Sequence, residues 1–208
     1  MTHASFIALC NDVTDDTVKS LVKVLSDEIT ARAEYEARKN ADNDKIQKTL
    51  SNVHSKLVRS KAAKLHAVAN VNTSYINRCE RVNAKYNVYA LQKIADIVDV
   101  VMFDQSMNKI NYHVLRSLFR FEAKELTFTH RDAVCAASDK CKVEDAKKRN
   151  ALSRHNVSET TASTQASSTM NALVTLGVVS ETTNADNVSC YVLTHSPLCE
   201  ALKEIVMK

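Results

Sequence analysis

"LVTLGVVSETTNADNVSCYVLTHSPLCEAL", Leu173 to Leu202, holds the one glycine and the one proline of a 208-residue chain. Ala166, Met170, Leu173 and Leu176 keep a helical period up to Gly177, and a residue with positive φ is favoured where a helix stops. Beyond it, "VVSE" and "VSCYVLT" are β-branched runs separated by "TTNADN", whose Asn and Asp residues suit a turn; the pattern predicts a hairpin over about 178–194. Ser196 and Pro197 then fit the N-cap and first position of a last helix carrying Leu198, Leu202, Ile205 and Val206. The isolated Gly and Pro are therefore expected to bracket a two-stranded hairpin.

Working back from Gly177, "SETTASTQASSTM" has the composition of a flexible linker, yet its retained helical period predicts an ordered helix at about 161–176. "KVEDAKKRNALSRHN" (142–156) reads as a very basic helical segment. "LTFT" (126–129) is a short β-like run, with Thr129 capping a helix to about Ser138, and residues 109–124 form a helix directing Val114, Leu115, Leu118 and Phe119 inward.

Three longer helices are expected ahead of these. The first spans 14–39, with Thr14 as N-cap, Asp15 and Asp16 at its positive end, and a stripe of Val18, Leu21, Val22, Leu25 and Ile29. The second runs from about Asp44 to Ala69 with a change of phase near Ser60 to Lys64. The third runs from about Thr73 to Phe103, with Ile76, Cys79, Val82, Tyr86 and Tyr89 continuing into Ile94, Ile97, Val98 and Val101. These helices fit either an antiparallel bundle or a long hairpin that dimerises.

The order helix, strand, helix, helix, hairpin, helix resembles the winged-helix family of helix-turn-helix DNA-binding domains over the C-terminal half. "LTFTHRDAV", "TQASSTMNALVTLGVV" and "CYVLTHSPLCEAL" carry the resemblance. Here the Lys140 to Ser158 connection is long where that family has a tight turn, and residues 161–176 contain no cation. With one Gly and one Pro, long helices should dominate, so the chain reads as mostly α, with an N-terminal long-helix region (1–105) for dimerisation or partner binding; by the resemblance, a winged-helix domain (106–208) contacts duplex DNA. Thr164, Gln165, Ser167, Ser168 and Asn171 would face base edges and phosphates. Lys142, Lys147, Lys148, Arg149 and Arg154, with Lys140 and His155, would hold the backbone, and Asn184 and Asn187 on the wing would lie beside it. Transcriptional control is the implied use; replication initiation or partition would employ the same parts. The alternative is a scaffold protein whose winged helix binds protein.

Charge supports a polyanionic partner in part. Residues 41–100 carry ten Lys or Arg against five Asp or Glu, and 101–160 eleven against eight. A second basic strip, Lys56, Arg59, Lys61, Lys64, His66, Arg78, Arg81 and Lys85, lies in the N-terminal half, where it fits either a nucleic-acid arm or the wet side of amphipathic helices. No stretch is apolar over the roughly 20 residues that cross a bilayer, and "SFIALC" is too short for a secretory signal, so a cytoplasmic location, the host's if the gene is viral, is expected. Cysteines at irregular spacing predict reduced, buried thiols, including Cys135 and Cys190. Neither Cys135 with Cys141 nor Cys190 with His195 and Cys199 has the spacing of a structural zinc site. Asp96, Asp99 and Asp104 read as partners for lysines. No histidine completes a nucleophilic triad and no glycine-rich loop is present, so no enzymatic activity, metal or cofactor is expected.

Overall fold

The computed structural model describes residues 1–208 apart from Asn83 and the side chain of Arg81. Helix makes up 65% of the chain, with one two-stranded and one three-stranded antiparallel sheet among the described residues, so the mostly α class with a small hairpin holds. The chain divides into two compact units, Ala4–Ser106 and Met1–His3 with Met107–Lys208.

The N-terminal unit begins at Ala4, within α1 (His3–Asn11), which buries Phe6 and Cys10. In α2 (Asp15–Lys39) the oxygen of Thr14 accepts from the Thr17 amide, while Asp15 and Asp16 sit at the positive end of the dipole. The expected helix over 44–69 is two helices, α3 (Asp44–Leu57) and α4 (Ser60–Val68), so the phase change marks a break. Arg59 is extended there: its Nε donates to the Lys56 carbonyl at 2.6 Å and closes the end of α3, and its guanidinium lies 3.7 Å from the centre of the Phe103 ring.

The expected helix over 73–103 does not form as one element. A 3₁₀ turn (Thr73–Asn77), β1 (Cys79–Arg81) and β2 (Ala84–Lys85) precede α5 (Val88–Phe103), whose N-cap is Asn87. Arg32 explains why. Its guanidinium donates to the carbonyls of Ile76 at 2.7 Å and Tyr86 at 2.5 Å, acceptors that a helix would have occupied internally. Tyr75, Ile76 and Tyr86 still reach the core, whereas Val82 is 93% exposed and not part of a buried stripe. Helix α5 is buried on nearly every side, against α3 and α4.

The C-terminal unit contains α6 (Lys109–Glu122), β3 (Phe128–Thr129), α7 (His130–Ala137), α8 (Ala146–Ala151), α9 (Glu159–Thr175), β4 (Val179–Thr183), β5 (Ser189–Leu193) and α10 (Pro197–Met207). Thr129 and Asp132 form a capping box on α7. Helices α6, α7 and α9 pack on one another. The sheet order is β3-β5-β4, with Phe128 opposite Tyr191 and Val179 opposite Leu193.

Gly177 has φ +63°, and a Cβ built there would meet nothing within 4 Å, so conformation and not space requires glycine. Its carbonyl accepts from the hydroxyls of Thr194 at 2.6 Å and Ser196 at 2.9 Å. Ser196 also caps α10, with Pro197 at its first position. One carbonyl thus ties the end of the helix before the hairpin to the start of the helix after it.

Candidate nucleic-acid interface

Helix α9 is ordered over 17 residues despite its hydroxyl-rich sequence, because Ala162, Ala166, Met170 and Leu173 bury one side and the Ser158 side chain caps its start. Its outward side presents Thr160, Ser163 and Thr164, then the half-buried Gln165, Ser167 and Asn171. None of these is charged. The Ser167 hydroxyl donates to the Ser163 carbonyl at 2.9 Å and the Thr164 hydroxyl to that of Thr160 at 3.4 Å, so both turn acceptor lone pairs outward. Ser167 also lies 3.5 Å from Nε2 of His130 on α7.

Ser168 belongs elsewhere. It is fully buried and its hydroxyl donates to the Thr164 carbonyl, so it cannot meet a ligand as the sequence reading expected. Its neighbour Thr169, also buried, donates to Oδ1 of Asn111 on α6 at 2.9 Å and fixes α9 to the core.

The basic segment is shorter as a helix than expected. Asp145 caps α8 through the Lys147 and Lys148 amides, and the helix ends at Ala151 because Ser153 turns onto α6: its amide donates to Ser117 Oγ at 2.9 Å and its carbonyl accepts from that hydroxyl at 3.0 Å. The cations then divide into two groups. Lys140, Lys142, Lys147 and Arg149 are exposed. Lys148 pairs with the buried carboxylate of Asp132 at 2.8 Å, and Arg154 donates to the carbonyls of Cys135 at 3.2 Å, Ser138 at 2.9 Å and Cys141 at 2.5 Å. These last two hold the 138–154 segment on α7, a structural task in place of the phosphate contact expected of them.

The wing turn has its own chemistry. Oδ1 of Asn184 accepts from the amides of Asp186 at 3.0 Å and Val188 at 2.8 Å, and Asn187 has φ +58°, so both asparagines shape the turn. Glu181 faces Tyr191 across the strands; burial first, and that carboxylate second, push the phenol up to about 12. With Glu181 and Asp186 and no Lys or Arg, the hairpin is acidic.

No family model, no curated protein and no solved structure matches the chain.

In the N-terminal unit three cations of the second basic strip are paired with acids. Lys56 binds Asp96 at 2.7 Å and Asp99 at 3.0 Å, Arg59 also binds Asp99, and Arg78 binds Glu80 at 3.1 Å. Asp96 and Asp99 thus serve as the expected partners of cations, whereas Asp104 is the left-handed residue that ends α5. His66 is fully buried, its Nδ1 donating to the Ala62 carbonyl at 2.9 Å, and is not a surface residue; burial lowers its pKa. Lys85 donates to the Asn77 carbonyl, Lys61 and Lys64 retain exposure, and the Arg81 side chain lies outside the described residues. Cys135 and Cys190 are buried as expected, and all six thiols are free, with Cys79 the exposed one.

Sequence reasoning passed over Ser117, Ser153 and His113, which fasten the segment after α8. The signal is faint: a serine among apolar residues on the inward side of α6.

Proposed function

We propose that the C-terminal unit is a winged-helix module that binds duplex DNA, used in transcriptional control, with the outward side of α9 in the major groove. The observation that carries this reading is an ordered helix with an uncharged, hydroxyl- and amide-rich outward side, next in sequence to a segment with exposed Lys140, Lys142, Lys147 and Arg149. The hydroxyls of Thr164 and Ser167, donating inward, suit the amino groups of adenine and cytosine edges; Gln165 and Asn171 suit adenine. The exposed cations supply affinity through the backbone without selecting sequence.

Salt dependence tests it. If Lys142, Lys147 and Arg149 each neutralise a phosphate, they contribute a log–log slope of about −2.7, and affinity for a random duplex falls about fortyfold for a fourfold rise in salt. Changing all three to Ala should abolish most of that slope, and Lys148 is left intact because of its bond to Asp132. Absence of duplex binding at low salt rejects the proposal. One observation favours a second reading, docking to a protein: the acidic wing, with Val188 45% and Val192 49% exposed, is a poor surface for phosphates.

A further inference from the structure

The outward side of α6 carries Lys109, Tyr112, His113, Arg116 and Arg120, one helical face with three permanent cations. Against it lies the segment that follows α8. The His155 ring stacks on that of His113, with centroids 5.5 Å apart and planes within 13°. The stack is built by fixed groups. Nδ1 of His113 is 2.9 Å from Ser153 Oγ, and Ser153 is fastened to Ser117 by the two hydrogen bonds described above. The His155 amide donates to the Ala136 carbonyl at 2.8 Å, and its carbonyl accepts from the Asp139 amide at 2.7 Å. Tyr112 meets the His113 ring edge-on at 5.3 Å, and the Arg116 guanidinium donates to the Tyr112 hydroxyl.

The charged groups facing His113 are His155, Arg116 and Lys109, all cations or potential cations. Exposed Asp139, whose amide binds the His155 carbonyl, forms no ion pair with either ring, and no carboxylate among the described residues acts on His113; other acids of the surrounding elements are engaged. Asp132 of α7 binds Lys148, Glu122 at the end of α6 binds Lys203 and His195, Asp145 caps α8, and the acid of α9 is Glu159 in its first turn. Among the described residues, the charges that act on His113 are thus all positive, and no carboxylate offsets them.

We infer that Lys109, His113, Arg116 and His155 form a second phosphate-binding site, in which a backbone phosphate of nucleic acid supplies the missing negative charge and the imidazoles take up protons as it binds. The inference rests on the duplex-binding reading of this unit and adds to it a contact on α6 and a dependence on pH. Burial first, and then the neighbouring cations, hold His113 below the ordinary imidazole range in the free protein. A bound phosphate reverses the local field, so the ring is protonated more readily in the complex. Linkage then gives the sign: a complex that binds more protons than its free components tightens as pH falls. At neutral pH Lys109 and Arg116 carry the charge of the site, and as pH falls it gains donors as well as charge.

The test uses the full chain and a random duplex at fixed salt, with affinity measured at about pH 7.5 and about pH 5.5. The wild-type protein should bind about tenfold more tightly at the lower pH. His113→Asn, which keeps a partner for Ser153, and His155→Phe, which keeps a stacked ring, should each remove most of that gain. The K142A/K147A/R149A protein should be weaker at both pH values and keep the gain. On the wild-type protein, the Cε1 proton signals of both rings should move towards the charged form when duplex is added at about pH 6.5. Full pH dependence in both histidine variants, or ring signals that stay fixed at duplex saturation, overturns the inference and leaves the duplex-binding reading intact. No duplex binding at either pH overturns both.

Discussion

Arg32 places one buried charge where three groups need it. Its Nε pairs with Glu36 at 2.8 Å while its two amino nitrogens bind the carbonyls of Ile76 and Tyr86, and both members of the ion pair are almost inaccessible. Arg32→Ala leaves a buried carboxylate without its counter-charge and takes the guanidinium donors away from the Ile76 and Tyr86 carbonyls, and should cost about 3–5 kcal/mol in a urea titration. His66 provides a pH-dependent counterpart. Its folded-state pKa lies below the 6.5 of free imidazole because burial disfavours the cation. Unfolded chains therefore bind the proton more tightly, so stability is fully present above about pH 6.5 and declines as pH falls below it. His66→Gln should flatten that decline in a series of melts across pH 7.5 to 5. Gly177→Ala meets no steric obstacle and should still destabilise the protein by about 1 kcal/mol, because φ +63° disfavours a residue with a Cβ.

At the scale of elements, caps and stripes were legible wherever the partners of a segment lie close in sequence. Thr14, Thr129, Ser196 with Pro197, and Gly177 each mark an element end through groups a few residues away. The 73–103 stretch failed for the opposite reason. Its apolar residues keep a helical period, but the groups that unwind it sit on α2, 44 and 54 residues earlier in the chain. The same applies to the site. The outward placement of exposed Thr164 and half-buried Gln165 could be read from the period of α9, whereas the burial of Ser168 depends on the packing of α9 against α7 and α6, and the tasks of Lys148 and Arg154 depend on α7. These placements separate residues that composition treats alike. Ser168→Ala should leave duplex affinity within about twofold of wild type, while Gln165→Ala should reduce discrimination for a preferred site by about 1–3 kcal/mol, both read from competition binding.

At the scale of the whole molecule, the chain divides into two compact units, and the exposed cations that precede α9 in sequence belong to the C-terminal one. A fragment comprising residues 107–208 should therefore unfold as one cooperative transition and bind random duplex with the same salt slope as the full chain. A shallower slope in the fragment would place phosphate contacts on the N-terminal unit, where Lys61 and Lys64 retain exposure.

The shared acceptor at the base of the hairpin has a consequence for how the wing loosens. Because the Gly177 oxygen receives hydroxyls from both Thr194 and Ser196, and the Thr194 amide donates to the neighbouring Val178 carbonyl, fraying that starts at the Asn184 tip meets a clasp before it reaches either flanking helix. Deuterium uptake should accordingly be graded along the two strands, rapid around Asp186 and slow at Thr194, so that the tip adapts to a partner while its anchorage stays registered.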